Sequence, residues 1–287
     1  MAIKLIVSDV DGTLLGHTGD CHQRTKQAIQ RAVCDGLLVT LGTGRGYGTA
    51  RPLHKRLGMN APLITLNGAV IRDPFFIFQS HVVADEAVME SGQFAKETGL
   101  CVYYFINEQI YAHIFYRTLL QDFLESMGAA QDELDYFHWI DEEEALMKAL
   151  LGRTNKIVFI SAGGSVSEQM ENLKTGQETL ENRFHSGVAD WNVDITSSYY
   201  NNMELMPRGV NKGTGVAELA AALGIEAHEV MCVGDNENDV DMFAFAGESF
   251  AMANASEAVK AKAKHVTLSV DEGGVGAAIE MVLDQGL

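Results

Sequence analysis

The chain has 287 residues, 47% of them hydrophobic, which is enough to bury one large core or two smaller ones. Its formal net charge is −18 and its basic residues form no cluster, so we expect no binding to nucleic acid. The amino-terminal apolar stretch is too short for a signal peptide, and no later segment approaches the ~18 apolar residues of a membrane span. We therefore expect a cytoplasmic protein that does not bind a membrane.

Strand and helix patterns alternate at both ends of the chain. Residues 3–8 (IKLIVS) form an apolar run of the kind that is buried on both faces of a parallel sheet. Residues 22–35 carry apolar side chains at helical spacing and precede Gly36, and LLVTLGTGR is again a strand followed by glycine. In the carboxyl-terminal third, a helix closed by Gly224 is followed by the strand VMCVGD and the helix VDMFAFAG. This order predicts an α/β protein with a doubly wound parallel sheet.

The middle of the chain has a different pattern. The runs CVYYFIN, QIYAHIF, KIVFISA and ADWNVDIT are rich in aromatic and β-branched residues, and acid-rich helical stretches such as DEEEALMKALL separate them. We therefore expect a core domain formed by residues 1–83 and 196–287, with an α+β domain inserted at residues 84–195.

Acidic side chains follow two of the predicted core strands. Asp9 and Asp11 come directly after the first strand, and Asp235 ends VMCVGD, with Asn238 and Asp239 three and four residues later. A helical turn there would place these last three side chains on one face. Ligands bind at the carboxyl ends of parallel strands, and two close carboxylates repel each other unless a cation or different protonation states intervene. The pattern predicts a metal site, and carboxylate and amide oxygens favour Mg²⁺.

Two further segments are able to bind an anion. In LGTGR, Thr43, Gly44 and Arg45 offer a hydroxyl and free backbone N–H groups at another strand end. Lys212 lies where a helix begins, so its ammonium group and the amino terminus of the helix can act together on a negatively charged group.

The segments DVDGTLL, TGR, GVNKG and GDNEND occur in this order and resemble the four motifs of the haloacid dehalogenase (HAD) superfamily. The long insert between the second and third motifs, together with LITLNGAVI and the ending AMANASEAVKAKA and DEGGVGAAIE, resembles the Cof-type phosphatases with a large α/β cap (C2B-type). The resemblance covers most of the core, and over the insert only its position and size. It implies a HAD-like Rossmannoid core, an inserted α+β cap and a hydrolase that uses Mg²⁺.

The resemblance also implies a role for each matching acid. Asp9 would be the nucleophile that attacks phosphorus and forms an aspartyl-phosphate, and Asp11 would protonate the leaving oxygen and then activate water. Mg²⁺ would be bound by Asp9, by the main-chain carbonyl of Asp11 and by Asp235, while Asp239 would bind metal-ligated water. Mg²⁺ and Lys212 would offset the repulsion between the carboxylate and the phosphate.

Thr43 and Lys212 would bind the transferring phosphoryl group and so count among the catalytic residues, and Asn238 would orient that group or Lys212. The expected phosphate- and substrate-binding residues are Gly12, Thr43, Gly44, Arg45, Asn67, Lys212 and Asn238.

Each main candidate also fits a purely structural role: Asp9 and Asp11 could form a turn and a helix cap after the strand, and Lys212 could be a solvated lysine at a helix start. Thr43 could cap a helix, Arg45 could form a surface ion pair, and Asn67 could hold a turn before Gly68. Asp239 could be an ordinary first-turn acid that complements the helix dipole.

The leading hypothesis is a Mg²⁺-dependent phosphatase of small phosphorylated metabolites, sugar phosphates first. A sugar phosphomutase on the same scaffold is the second reading, and it would pass the phosphoryl group to another sugar hydroxyl instead of to water. A third reading is a signalling module in which Asp9 accepts phosphate but turns over slowly, against which Asp11 and the large insert both argue. The sequence predicts no particular oligomeric state.

Overall fold

A computed structural model describes residues 3–16, 19–107, 109–126, 136–185, 190–197 and 202–285. In chain order its strands are β1 (Leu5–Ser8), β2 (Leu38–Leu41), β3 (Leu63–Thr65), β4 (Val70–Arg72), β5 (Ile77–Ser80), β6 (Cys101–Ile106), β7 (Gln109–His113), β8 (Phe137–Ile140), β9 (Lys156–Ile160), β10 (Val193–Thr196), β11 (Asn202–Pro207), β12 (Val230–Gly234), β13 (Glu248–Ala251) and β14 (His265–Val266). The α-helices are α1 (Gln23–Cys34), α2 (Tyr47–Leu57), α3 (Asp85–Thr98), α4 (Arg117–Ser126), α5 (Glu143–Leu150), α6 (Val166–His185), α7 (Lys212–Leu223), α8 (Val240–Phe245), α9 (Glu257–Lys260) and α10 (Gly274–Gln285).

The chain divides into two compact units. The first consists of Met1–Gln79 and Asn211–Leu287, and the second is Ser80–Val210. No helix within the described ranges is long and apolar enough to cross a membrane.

The first unit contains a five-stranded sheet in the order β14-β13-β12-β1-β2, and every neighbouring pair is parallel. The expected α/β class with a parallel central sheet is confirmed. Strand β1 lies between β12 and β2, with Ser8 opposite both Val233 and Leu41. The carboxyl ends of these three strands therefore meet at one edge, and the residues that follow them are brought together there.

Side chains of β1 alternate between the two faces of this sheet. Ile6 packs in the cluster formed with α1, α2 and α10, whereas Leu5 and Val7 pack in the cluster formed with α7 and α8. Burial on both faces explains why the strand is a continuous apolar run in the sequence, without alternating polar residues. The expected helix at residues 22–35 is α1, and its Ile29 is fully buried.

The second unit contains a six-stranded sheet in the order β10-β11-β9-β6-β7-β8. Neighbouring strands in this sheet are antiparallel, except that β7 and β8 are parallel. Phe94 of α3 packs edge-to-face against Phe159 and Trp191, with ring centroids 5.2 and 5.9 Å apart. This confirms the β-rich α+β character of the insert.

The structure divides the chain differently from the boundaries expected at 83/84 and 195/196. The later boundary differs more, because β11 pairs with both β9 and β10 and so belongs to the sheet of the second unit. Residues 202–210 had been expected in the core domain. The first boundary differs by only a few residues, at Gln79 and Ser80.

The turn Leu66–Gly68 follows β3 and packs closely against the start of α7. Leu66, Asn67 and Gly68 all have positive φ, at 51°, 53° and 96°. A Cβ atom on Gly68 would lie 2.1 Å from the carbonyl oxygen of Asn211. Glycine is required here for two reasons, since its conformation strains any side chain and the neighbouring backbone leaves no room for one.

We expect Gly68→Ala to lower the free energy of unfolding by about 3 kcal/mol, since the left-handed backbone and the collision with Asn211 both contribute. Gly58→Ala is the matched control, because Gly58 has φ 70° and a Cβ there would meet nothing within 4 Å. It should lose only about 1 kcal/mol. Urea unfolding followed by circular dichroism measures both losses, and equal losses would contradict the close contact.

Candidate active site

Asp9 directly follows β1 and is almost completely buried, with 5% of its surface exposed. Its Oδ1 accepts a hydrogen bond from the Lys212 ammonium group at 2.7 Å. No described residue donates a hydrogen bond to the other carboxylate oxygen, Oδ2. Burial raises the pKa of Asp9 well above its ordinary value, although Lys212 opposes this.

Lys212 is the first residue of α7 and is 1% exposed. Besides Asp9, its ammonium group donates to Asp239 Oδ1 at 2.6 Å. Burial alone would lower the pKa of Lys212, but the two carboxylates outweigh that effect and raise it. The group therefore stays protonated, and one of its three protons is left without an acceptor among the described residues.

Asp239 is held rigidly in the loop that follows β12. Its Oδ2 accepts from the backbone N–H groups of Asp235 and Asn236 at 2.9 and 3.0 Å. Since Oδ1 accepts from Lys212, both oxygens of Asp239 position protein groups. A Cβ on Gly234 would lie 2.5 Å from the Asp239 side chain, so glycine at the end of β12 makes room for it.

Asp9, Asp235 and Asp239 form a cluster in which one carboxylate oxygen of each lies within 4.8 Å of those of the other two. Burial raises the pKa of Asp235 to about 6, partly offset by a hydrogen bond from the Thr13 hydroxyl at 2.5 Å. The cluster has three carboxylates, and the one ammonium group beside it, that of Lys212, contacts only those of Asp9 and Asp239, which leaves negative charge unmatched. Hard oxygen donors with excess negative charge suit a divalent cation such as Mg²⁺, and the residues present therefore fit one.

Asp11 lies two residues beyond Asp9 but in a different environment. Its side chain is 63% exposed and forms a bidentate ion pair with Arg45, at 2.6 Å for Nη2–Oδ1 and 2.9 Å for Nε–Oδ2. The ion-pair alternative for Arg45 is thus realised here, with Asp11 as its partner. The bidentate geometry fixes the orientation of the Asp11 carboxylate, while the exposure of its side chain allows solvent and salt to screen the attraction between the two charges.

Thr43 follows β2 and is 1% exposed. Its Oγ1 accepts from the Arg45 backbone N–H at 3.1 Å, which closes the turn, and its hydroxyl proton has no acceptor among the described residues. Helix α2 begins at Tyr47 with Gly46 as its N-cap, so the helix-cap alternative for Thr43 does not apply. A buried hydroxyl with a spare proton is able to bind an anion oxygen.

Asn67 and Asn238 are paired, with Asn238 Nδ2 donating to Asn67 Oδ1 at 3.2 Å. Asn67 lies in the turn with positive φ, and a Cβ on Gly44 would lie 3.0 Å from its Oδ1. Asn238 Oδ1 is buried and has no hydrogen-bond partner among the described residues. The Asn238 amide therefore contacts Asn67. Lys212, which Asn238 is one candidate to orient, is held instead by the carboxylates of Asp9 and Asp239.

Gly12 was expected to bind phosphate, but both of its backbone polar groups bind protein. Its N–H donates to the Leu15 carbonyl at 3.0 Å, and its carbonyl accepts from Asn254 Nδ2 at 2.9 Å. A Cβ on Gly12 would lie 2.4 Å from Asp235 Oδ2, and φ is +83°. The absence of a side chain at Gly12 therefore leaves room for the Asp235 carboxylate in the cluster.

Two contributors were missed as site residues, Thr13 and Asn254. The Thr13 hydroxyl donates a hydrogen bond to Asp235 Oδ1 and so holds that carboxylate in place. Asn254 connects the loop after β1 to Val270, because its Nδ2 donates to the Gly12 carbonyl and its Oδ1 accepts from the Val270 N–H at 3.0 Å. The sequence signal for Asn254 was its place in AMANASEAVKAKA, one of the segments that carry the family resemblance.

Comparisons with known proteins agree with this architecture. A family model described as haloacid dehalogenase-like hydrolase matches residues 6–279. One relative from Bacillus subtilis (strain 168), the 5-amino-6-(5-phospho-D-ribitylamino)uracil phosphatase YwtE, is 29% identical over 98% of either chain. A second relative from the same strain, the phosphatase YwpJ, is 28% identical over 98% of this chain and 100% of that one. A solved haloacid dehalogenase-like hydrolase from B. subtilis is 27% identical, with a TM-score of 0.78 over 97% of this chain and 99% of that one.

In the first unit, carboxylates and one buried lysine meet at the strand ends of a parallel sheet, and the β-rich second unit is inserted into this part of the chain. The chain belongs to the haloacid dehalogenase-like hydrolase family, and it is a phosphatase. Phosphatases of this family generally use a divalent metal ion, which the acidic cluster is able to hold.

We expect Lys212→Met to lower the free energy of unfolding by about 3–5 kcal/mol, because Asp9 and Asp239 would stay buried without their counter-charge. Urea unfolding in the presence of EDTA measures this loss without any contribution from metal binding. Lys4→Met is the control, since Lys4 pairs with Glu229 at the surface and its loss should cost little. A Lys212→Met protein as stable as the control would contradict the structural importance of the buried pair.

Proposed function

We propose that the protein is a Mg²⁺-dependent phosphatase that hydrolyses small phosphorylated metabolites, with phosphate esters of sugars and sugar alcohols as the first choice, through an aspartyl-phosphate. The observation that carries the proposal is the Asp9 carboxylate, buried beside Lys212 with one oxygen left free of hydrogen bonds from any described residue. A carboxylate that is oriented through one oxygen presents the other for attack.

In the proposed reaction, Asp9 Oδ2 attacks phosphorus, the P–O bond to the leaving group breaks, and an acyl phosphate forms on Asp9. Asp11, released from Arg45 and carrying the proton that it took from water in the previous cycle, gives this proton to the departing alkoxide. It then takes a proton from water as that water attacks phosphorus, which returns inorganic phosphate and the free Asp9 carboxylate. Protonation of the leaving oxygen is needed because an alkoxide is a poor leaving group at neutral pH.

The transferring phosphoryl group needs donors aimed at its oxygens. Lys212 has one ammonium proton, and Thr43 one hydroxyl proton, without an acceptor among the described residues. Both side chains are buried: Lys212 lies next to the proposed nucleophile Asp9, and Thr43 lies at the end of the neighbouring strand β2. Donors held by the fold stabilise developing charge without reorganising at the moment of reaction. Asn67 and Asn238, paired with each other, are proposed to line the same region beside Gly44.

Asp9 and Asp235 are the residues proposed to hold Mg²⁺ directly, with the main-chain carbonyl of Asp11, and Asp239 is proposed to bind water on the ion. When bound, the ion supplies positive charge that offsets the repulsion between the Asp9 carboxylate and the phosphate. The three clustered carboxylates support this choice.

Arg45 is proposed to keep Asp11 oriented until substrate binds. The bidentate pair fixes the Asp11 carboxylate, and it must open before Asp11 can carry a proton to the leaving group. Since the Asp11 side chain is 63% exposed, solvent screens the pair, and the phosphate of an incoming substrate is able to compete for the Arg45 guanidinium group.

The choice of substrate class is supported by one relative in particular. The B. subtilis protein that is 29% identical to this chain is named for a phosphate ester of a ribityl group, a sugar alcohol. Sugar phosphates and this ribityl compound therefore come first in a test panel, followed by nucleotides, pyridoxal phosphate and a generic aryl phosphate.

Phosphate release from that panel, with Mg²⁺ or with EDTA, tests the proposal. We expect multiple turnover that requires Mg²⁺ and falls more than about a thousandfold in Asp9→Asn, because an amide is a poor nucleophile. Product analysis by ³¹P NMR should show inorganic phosphate; an isomeric sugar phosphate in its place would indicate a phosphomutase. No release from any compound by the folded, metal-replete protein would overturn the proposal.

Asp11→Asn separates the two half-reactions. With an aryl phosphate, whose leaving group needs no proton, we expect a rapid burst of phenol equal to the enzyme concentration, followed by turnover slowed about a hundredfold or more. With a sugar phosphate, the first step itself should be slowed by a similar factor. Stopped-flow absorbance measures the burst. Unchanged steady-state rates with both substrates would rule out Asp11 as the acid and base.

A further inference from the structure

The second unit contains a cavity of about 290 Å³. It lies between α3, β6, the short turn Ile114–Tyr116 and α5, and all of its lining residues belong to that unit. Apolar and aromatic side chains form most of its wall, among them Val102, Tyr104, Leu146 and Met147. None of these residues takes part in the proposed hydrolysis.

Gly92 keeps part of this cavity open. It lies in the middle of α3, where glycine is less favourable than alanine. A Cβ at this position would meet only the Tyr104 hydroxyl, at 4.0 Å, so close packing does not explain the glycine. The missing side chain leaves its volume to the cavity.

Most polar groups of the wall are already bound. Ser91 Oγ donates to the Val88 carbonyl, so the Tyr104 hydroxyl donates its own proton to Ser91. Both ring nitrogens of His113 are used, one accepting from the Phe115 N–H and the other facing the Asp141 carbonyl at 2.9 Å.

The Tyr116 hydroxyl is different. It forms no hydrogen bond to any described residue, and although only 7% of Tyr116 is exposed, its oxygen is not among the fully buried unpartnered atoms and is accessible at the cavity wall. Burial raises the pKa of Tyr116 to about 12, so the hydroxyl keeps its proton at neutral pH and is available as a donor.

The charges at the cavity cancel each other. Lys96 and Glu143 face each other at 3.4 Å, and both side chains are more than half exposed. A charged ligand would gain one partner and be repelled by the other, which favours a neutral ligand.

We propose that this cavity binds a neutral aromatic molecule of one or two fused rings that carries one hydrogen-bond acceptor, with the Tyr116 hydroxyl as its donor. The size follows from volume, since an apolar cavity of roughly 150 Å³ holds a single benzene ring and this one is about 290 Å³. The aromatic class follows from the tyrosine and aliphatic walls, which offer stacking and edge contacts to a flat ring.

Quinoline and naphthalene are suitable probes, because they have the same shape and only quinoline has an acceptor nitrogen. In the full-length protein labelled with ¹³C at its methionine methyl groups, we expect both probes to shift the Met147 signal, which Met147→Leu identifies, and to give NOEs to it. Quinoline should bind about fivefold more tightly, as expected for one neutral hydrogen bond. Tyr116→Phe should remove that preference and leave naphthalene binding unchanged.

Gly92→Leu should fill the cavity and abolish binding of both probes. Gln93→Leu, at the next and exposed position of α3, is the matched control and should bind them normally. The proposal is overturned if saturating quinoline gives neither a Met147 shift nor an NOE in the wild-type protein, a result that needs no variant to fold. It is also overturned if Gly92→Leu folds and binds as the wild type does, or if Tyr116→Phe leaves the preference for quinoline intact.

Discussion

The buried ammonium group of Lys212 holds together a site whose parts come from distant places in the sequence. It binds Asp9, 203 positions away, at 2.7 Å and Asp239, 27 positions away, at 2.6 Å. Without it, the ends of β1 and β12 would bring carboxylates together in a region of low dielectric, at a large cost in free energy. The geometry of the site therefore depends on where α7 begins.

Several local features place that helix start. Asn211 caps α7, accepting from the Thr214 N–H at 2.9 Å, while its own N–H donates to Thr214 Oγ1 at 3.0 Å. Two glycines that follow Lys212 then allow close packing of the first turn of α7: a Cβ on Gly213 would lie 2.5 Å from the Asp241 carbonyl oxygen, and one on Gly215 would lie 2.8 Å from the Cα of Gly68. The glycines of GVNKGTG thus bring the lysine to the acids.

The parallel sheet and its chemistry-bearing strand ends could be predicted from the sequence, because buried strands such as β1 and β12 are short apolar runs and each is followed by an acid. Strand β11 could not, since NMELMP places Asn202 and Glu204 inside a fully buried strand. The pairing of Arg45 with Asp11 and of Asn67 with Asn238 depends on distances between loops, which no local pattern encodes. The expectation that Gly12 binds phosphate has the same weakness, because the sequence does not show which groups its backbone N–H and carbonyl contact.

Buried charge alone does not mark a site in this molecule. In the second unit, Lys156 and Glu204 form an ion pair of 3.0 Å that is as buried as Lys212, and Glu204 also accepts from Asn202. The charges of these two residues cancel, so the pair is consistent with a purely structural role. In the candidate active site, a cluster of three carboxylates has one ammonium group, which contacts two of them, and the unmatched negative charge suits a further cation. The imbalance of charge, rather than its burial, distinguishes the candidate active site from the ion pair in the insert.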